Sequence, residues 1–159
     1  MIKLFLTSGF FDIFGNVILN GSFVESDILE FRMPKEIQII ENSAFDMSDL
    51  SKISFEEDCE LALIQNNAFS ETRIEEFICP NGLMHLDSEV FKDCTSLNKF
   101  ILNNNIQSIG RSCFSGCANL KELYFNGTKD EFENVDLDDL WLANSEIKEI
   151  ICHNGVVAL

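Results

Sequence analysis

A pattern of apolar and polar positions recurs along this chain. Six segments share a unit in which an apolar residue is followed by two variable residues, an apolar residue, a variable residue and a third apolar residue. The six triplets are Ile28/Phe31/Met33, Leu50/Ile53/Phe55, Ile74/Phe77/Cys79, Leu97/Phe100/Leu102, Leu120/Leu123/Phe125 and Ile147/Ile150/Cys152. Successive units start 22, 24, 23, 23 and 27 residues apart. The alternation at the end of each unit predicts a short strand with one buried face.

A second unit follows the first in four of these repeats. It consists of two apolar residues three positions apart and a phenylalanine five positions later. The copies are Ile37/Ile40/Phe45, Leu61/Ile64/Phe69, Leu83/Leu86/Phe91 and Ile106/Ile109/Phe114, and Ile18 and Phe23 keep the end of a degenerate fifth copy. The regular spacing predicts a ladder of stacked phenylalanines inside the protein.

Repeats of about 23 residues cannot fold singly. Ordering the backbone opposes folding by about 1–2 kcal/mol per residue, whereas each large apolar side chain returns only about 1.5–3 kcal/mol on burial. Stacked coils share one core, so the period predicts a repeat solenoid. Its strands would form a parallel sheet with about 4.8 Å between coils.

The repeat residues resemble the BspA-like leucine-rich repeat family. The segments that carry the resemblance are "IIENSAF" (39–45), "VFKDCTSL" (90–97) and "SIGRSCFSGCANL" (108–120). The resemblance implies a right-handed superhelix with a parallel β-sheet on one face and mostly loops, short strands or short helical turns on the other. It also implies binding or adhesion roles. The sequence departs from the family pattern at residues 1–27, at a two-residue insertion near Glu56–Glu60, and at Pro34 and Pro80.

We expect residues 1–159 to form a single domain. Residues 1–27, with "IKLFL" and "FDIFGNVIL", would form an irregular N-terminal cap, hairpin or degenerate repeat, and residues 28–127 the regular repeats. Residues 128–159 would form a C-terminal cap with a last strand. There Thr128 and Glu131 have the spacing of a capping box that opens a short helix. The apolar residues expected to cover the last coil are Phe132, Val135, Leu140 and Trp141.

The charge of the chain limits the classes of partner. Eleven basic and 27 acidic residues give a formal net charge of −16. An acidic surface repels nucleic-acid phosphates and anionic lipid headgroups, so neither is an expected partner. The sequence contains no run of about 20 apolar residues, so membrane insertion is not expected. Asp12 interrupts the apolar N-terminus and no small-residue cleavage site follows, so no signal peptide is predicted.

The six cysteines invite three interpretations: metal ligands, a disulfide, or packed thiols. Five of them occupy repeat positions that are apolar or small in other copies: Cys79, Cys94, Cys113, Cys117 and Cys152. Only Cys59, in the insertion, has no such position. Zinc ligation by Cys113 and Cys117 with His85 or His153 would need a more compact pair of turns. A Cys94–Cys117 disulfide would need side chains that converge. We therefore expect reduced, packed thiols, and neither a metal nor a cofactor.

Candidate catalytic residues are few. His85 and His153 have no recurring Ser or Cys neighbour in the sequence that would form a nucleophile–base pair. The acidic residues Asp136, Asp138 and Asp139 lack the glycine and the distal glutamate of a calcium loop. The sequence therefore predicts no catalytic residues and a non-enzymatic protein.

The outward positions of the strands form two columns. One carries charges, Glu30, Lys52, Glu76, Lys99, Glu122 and Glu149, and the other reads Arg32, Ser54, Ile78, Ile101, Tyr124 and Ile151. The four apolar residues of the second column predict an exposed stripe that binds a partner, with Lys99 and Glu122 beside it. Two alternatives stay open, since β-branched residues also suit strands and self-association could cover the stripe.

The favoured function is a protein-interaction or adhesion-type module that binds a protein or peptide, preferably basic, on its sheet face. The alternative is a structural spacer in a larger cell-surface protein, and an enzyme is a remote third. A monomer or weak self-association is expected. The family resemblance implies a cell-surface or secreted protein, whereas free cysteines and the lack of a clear signal peptide favour an intracellular one.

Overall fold

Each repeat contributes one longer strand and one two-residue strand to a β-solenoid. The structure, a computed structural model, describes residues 13–159, so the segment "IKLFL" lies outside the described residues. The elements are β1 (Ile13–Phe14), β2 (Val17–Ile18), β3 (Glu30–Met33), β4 (Ile39–Ile40), β5 (Lys52–Phe55), β6 (Leu63–Ile64), β7 (Glu76–Ile78), β8 (His85–Leu86), β9 (Lys99–Leu102), β10 (Ser108–Ile109), β11 (Glu122–Phe125), α1 (Lys129–Phe132), β12 (Asp136–Leu137), β13 (Glu149–Cys152) and β14 (Gly155–Ala158).

The strands stack into a narrow and a wide sheet. The narrow sheet has the order β1-β2-β4-β6-β8-β10-β12, and the wide face is made of β3-β5 and of β7-β9-β11-β13-β14. Pairing is parallel except at the two ends, where β1–β2 and β13–β14 are antiparallel. Equivalent repeat positions are register partners, as when Phe100 lies between Phe77 and Leu123. The predicted solenoid with a parallel sheet is confirmed.

The core between the two sheets is a ladder of aromatic rings. Phe23, Phe45, Phe69, Phe91 and Phe114 stack in sequence, with centroids 4.7–5.9 Å apart and ring planes within 10° of parallel. Phe77 and Phe100 of the wide sheet meet this ladder edge-on. These rings are buried, so the phenylalanine ladder that the sequence predicts is confirmed.

Residues in the left-handed backbone conformation turn the chain after the short strands. Met47, Glu71 and Asp93 occupy equivalent places with φ of 55°, 55° and 56°. This conformation is unfavourable for residues other than glycine. Here, however, each amide donates to a carbonyl of the next coil, as Asp93 N does to Ser115 O at 2.7 Å. The strained turns therefore also tie one coil to the next.

An antiparallel strand pair stands at each end of the described solenoid. The β1–β2 hairpin agrees with the strand expectation for the described part of "FDIFGNVIL", residues 13–19. At the other end the capping box is present: Glu131 N donates to Thr128 Oγ1 at 3.3 Å, and Thr128 N donates to Glu131 Oε2 at 2.6 Å. Phe132, Val135 and Trp141 are buried as predicted. Leu140 was expected among them but is 43% exposed, because it lies in the turn that follows β12.

The wide sheet is interrupted between the second and third of its strands. Within residues 13–159, no ladder joins β5 to β7, whereas a single stack was expected. In the coils of β5 and β11 the residue after the strand donates its amide to the preceding coil, as Glu56 N does to Met33 O at 3.0 Å. Pro80 occupies the equivalent repeat position, two residues beyond the end of β7, and has no amide hydrogen to donate. Ile53 and Phe55 are consequently only half-buried.

All six cysteines are buried as unpaired thiols. The expectation that five of them are packed in structural repeat positions is confirmed. Cys94 and Cys117 sit in equivalent places, and their Sγ atoms donate to Phe69 O and Phe91 O, each at 3.0 Å. The expectation that Cys59 lacks a structural place is wrong, because the insertion folds inward and sets its Sγ 3.9 Å from Pro34 O.

Candidate interaction surface

The four apolar residues of the second outward column lie side by side on the wide sheet. Ile78 is the register partner of Ile101, Ile101 of Tyr124, and Tyr124 of Ile151. Ile78 is 49% and Tyr124 37% exposed. Ile101, which lies between them, and Ile151, on the other side of Tyr124, are half-buried. We call these four residues the stripe. The alternation of inward and outward side chains in β7, β9, β11 and β13 sets it on the face opposite the core.

A fifth apolar residue continues the stripe. Val156 of β14 is the register partner of Ile151 and is 46% exposed. Repeat alignment misses it because β14 turns back antiparallel and so leaves the period of the solenoid. The Asn154–Gly155 dipeptide, which favours a tight hairpin turn, is the sequence signal that could have located this strand.

Charged residues line one margin of the stripe. Lys99 forms an ion pair with Glu76, and Lys52 Nζ lies 3.8 Å from Glu30 Oε1. The outward column of charged residues thus contains two ion pairs between neighbouring strands. Tyr124 Oη donates to Glu122 Oε2 at 3.1 Å. This hydrogen bond raises the pKa of the Tyr124 phenol, because a carboxylate acceptor favours the protonated form.

Glu122 and Glu149 are register partners and carry like charge. Together with the Tyr124–Glu122 hydrogen bond, they leave the β11–β13 side of the margin acidic. The stripe therefore combines an apolar centre with a polar, mostly negative border, an arrangement typical of protein-binding patches.

A histidine–serine pair lies on the narrow sheet. His85 Nδ1 and Ser108 Oγ are 2.9 Å apart on the adjacent strands β8 and β10. Sequence reasoning missed this neighbour because the two residues are 23 positions apart. Asp136 is the register partner of Ser108 on β12 and thus lies on the side of Ser108 away from His85. Asp87 lies close enough to His85 for the two side chains to interact electrostatically. The His85–Ser108 pair forms a hydrogen bond between the two strands.

The residues considered for metal binding do not converge. Among residues 13–159, no group of three or more His, Cys, Asp or Glu side chains could hold a metal ion. Burial raises the pKa of the Cys94 thiol to about 12 and that of Cys113 and Cys117 well above the usual range. Metal coordination requires the thiolate, which burial disfavours. Asp138 Oδ1 accepts the amide of Leu140 at 2.9 Å, in a turn.

No helix in the described part of the chain is long and apolar enough to cross a membrane.

The repeat residues, their spacing and the two-sheet solenoid agree with one family. The profile of the BspA type leucine rich repeat region, in six copies, matches residues 16–140. The chain belongs to the BspA-type leucine-rich repeat family. The resemblance inferred from the three quoted segments is thereby confirmed, and the match includes part of the N-terminal region that departs from the regular repeat.

Solved structures of bacterial proteins share the fold. A leucine rich cell surface protein of Faecalibacterium prausnitzii is 19% identical, with a TM-score of 0.69 over 78% of this chain and 33% of its own. A leucine rich repeat protein of T. pallidum is 21% identical, with a TM-score of 0.64 over 86% of this chain and 65% of its own. The pneumococcal vaccine antigen PcpA is 17% identical, with a TM-score of 0.55, and covers 70% of this chain and 34% of its own.

This BspA-type chain thus spans a third of the F. prausnitzii protein and just under two thirds of the T. pallidum protein. Likeness at such low identity shows the fold alone. No curated protein matches the sequence significantly.

Proposed function

We propose that this leucine-rich repeat domain is a non-enzymatic interaction module of adhesion type that binds a protein or peptide on its wide sheet. The contact surface comprises Ile78, Ile101, Tyr124 and Ile151, with Lys99 and Glu122 at its margin. The observation that carries the proposal is the continuity of the stripe: four register partners on four adjacent strands are apolar where solvent contact permits polar side chains. Contiguous exposed apolar surface marks interaction sites more often than isolated residues do.

Tyr124 is the expected centre of binding energy. It is exposed, lies between Ile101 and Ile151, and its hydroxyl is held by Glu122. A tyrosine that is already oriented loses little conformational freedom on binding, and tyrosine is enriched among the residues that dominate binding energy. Strands about 4.8 Å apart make the four-residue stripe roughly 15 Å long, enough for a short extended segment of a partner.

The charge of the protein favours a basic partner. The net charge is −16, and Glu76, Glu122 and Glu149 lie next to the stripe. Such a field speeds the approach of a positively charged protein and makes the association rate depend on salt. The proposed partner therefore presents an apolar segment flanked by lysine or arginine.

The alternative function is a structural spacer within a larger surface protein. It is favoured by one observation: the chain covers only a third of the F. prausnitzii cell surface protein that shares its fold. Under this alternative the stripe binds no partner, and substitutions in it leave the association of the chain with other proteins unchanged. We further propose that residues 1–159 act as one domain in either role.

The test is a pull-down with the intact chain and with an Ile78→Ser/Tyr124→Ser double variant. The interaction proposal predicts that a partner, or a second copy of the chain, is captured by the wild type and not by the double variant. Leu140→Ser is the matched control, since Leu140 is also exposed but lies in the C-terminal segment. Equal capture by all three proteins would contradict the proposal and favour the spacer.

A further inference from the structure

The interruption of the wide sheet opens a cleft. A cavity of about 790 Å³ lies between β5 and β7 and is lined by residues 51–59, 75–76 and 78–81. Cavities of this size are typical of ligand sites, which run from roughly 300 to 1,000 Å³. Because no ladder joins the two strands within the described chain, the edges of β5 and β7 face each other across the cleft.

The cleft is built into the repeat sequence. The two coils are hydrogen-bonded just before the strands begin, where Glu75 N donates to Ser51 O at 3.4 Å. Beyond that point Pro80 has no amide hydrogen to offer the preceding coil. In the regular β11 the corresponding donor, Asn126 N, bonds Leu102 O at 2.9 Å. The two extra residues of the Glu56–Glu60 insertion also lie beside the cleft.

The floor of the cleft is apolar. Ile53 and Phe55 are half-buried rather than enclosed, unlike the equivalent residues of β9 and β11. The Phe55 ring contacts that of Phe77 edge-on, with centroids 5.5 Å apart, and so closes the cleft against the core. The floor thus offers an apolar contact surface that is partly exposed to solvent.

The rim of the cleft is acidic. Five carboxylate residues line it, Glu56, Glu57, Asp58, Glu75 and Glu76, against a single lysine, Lys52. Lys52 is already paired with Glu30, Glu76 with Lys99, and Glu56 with Arg32 at 3.7 Å. Within residues 13–159, the other three acidic residues have no cationic partner: Glu57, Asp58 and Glu75.

We propose that this cleft binds a lysine or arginine side chain carried by an extended basic peptide. The aliphatic stem packs on Ile53 and Phe55, and the charged group lies among Glu57, Asp58 and Glu75. Long cationic side chains match such a site, because the stem is apolar and the charge stays at the wet rim. The rest of the peptide runs along the free edges of β5 and β7, where strand addition provides backbone hydrogen bonds.

The cleft is distinct from the stripe, although Ile78 borders both. The inference does not rest on the proposed function, since the cleft can bind a basic peptide whether or not the stripe binds a partner.

The probe is a fluorescein-labelled octapeptide that alternates arginine with valine, measured by anisotropy at about 150 mM salt, where long-range attraction is screened. We expect one peptide per protein. Glu75→Lys and Ser54→Trp should each weaken binding by about tenfold or more. Glu75→Lys puts a positive charge on the rim that repels the basic peptide, and Ser54→Trp fills the cleft with a large side chain. A peptide with glutamate in place of arginine should not bind.

The matched control is Glu133→Lys, which makes the same change of charge on the exposed end of α1. Weakening by Glu133→Lys equal to that by Glu75→Lys would mean that the peptide senses only the overall charge, and would overturn the proposal. So would unchanged binding in both cleft variants. Loss of binding in Tyr124→Ala alone would assign the peptide to the stripe and would also overturn it. Melting curves of each variant establish that it is folded.

Discussion

The ring of Phe91 lies parallel to that of Phe114, with centroids 5.9 Å apart and planes 4° from parallel. The two residues occupy the same position in successive coils. Each ring thus completes the packing of its neighbour, and no coil has a core of its own. The stability of the solenoid therefore depends on contacts between coils rather than within them.

Removing one ring should destabilise the whole array. Phe91→Ala leaves a cavity bordered by Phe69, Phe77, Phe100 and Phe114. We expect it to lower the free energy of unfolding by about 3–5 kcal/mol, as large-to-small core substitutions do. Urea unfolding followed by circular dichroism measures the effect. Phe14→Ala, at a side chain that is 80% exposed, is the control and should change little. Similar losses in the two variants would contradict the ladder.

The buried thiols should resist modification in the folded protein. Cys94, Cys113 and Cys117 are fully buried, and burial favours the unreactive protonated form. We expect slow alkylation of the native protein. Intact-mass measurement after alkylation under denaturing, non-reducing conditions should show all six cysteines modified. A Cys94–Cys117 crosslink would show that the two equivalent side chains can converge.

The same thiols should make stability fall at alkaline pH. Their pKa is raised in the folded state from the ordinary value of 9.0, to about 12 for Cys94. Above pH 9 the unfolded chain therefore loses protons that the folded chain keeps, and unfolding becomes easier as pH rises. Each such thiol contributes up to about 1.4 kcal/mol per pH unit. Urea titrations at pH 8, 9 and 10 with reductant test this; stability that is flat across the series would mean that the thiols are solvated.

Restoring an amide at position 80 should close the sheet. In Pro80→Asn the new amide can donate to Phe55 O, as Asn126 N donates to Leu102 O. We expect hydrogen exchange at residue 80 to be slow, like that at residue 126. Rapid exchange would show that the insertion at Glu56–Glu60, rather than the missing donor, holds the strands apart.

The repeat period was sufficient to locate the inward residues, because each solenoid position is set by its distance along the coil. Phe91, Phe114 and Cys113 lie where the alignment puts them. The period could not show that Pro80 interrupts the wide sheet. That effect depends on a single backbone hydrogen bond, which an amide at position 80 would have to donate.

Contacts between coils were equally hard to anticipate. The His85–Ser108 hydrogen bond joins residues of different repeats and has no local signal. Val156 was missed because β14 reverses direction, and Cys59 because an insertion has no equivalent to align with. The stripe was predicted because register partners share a repeat position; its use remains a proposal.

Ile101→Glu tests the central claim, that the stripe is dispensable for folding and required for association. Ile101 lies between Ile78 and Tyr124 on the outer face, so a charge there should leave the melting temperature nearly unchanged. The measurement pairs a thermal melt with sedimentation velocity, alone and with whatever the wild type captures. The account predicts wild-type melting and loss of association. A large drop in melting temperature of the monomer would show that Ile101 belongs to the core, and a folded variant that still associates would show that the stripe is not the contact.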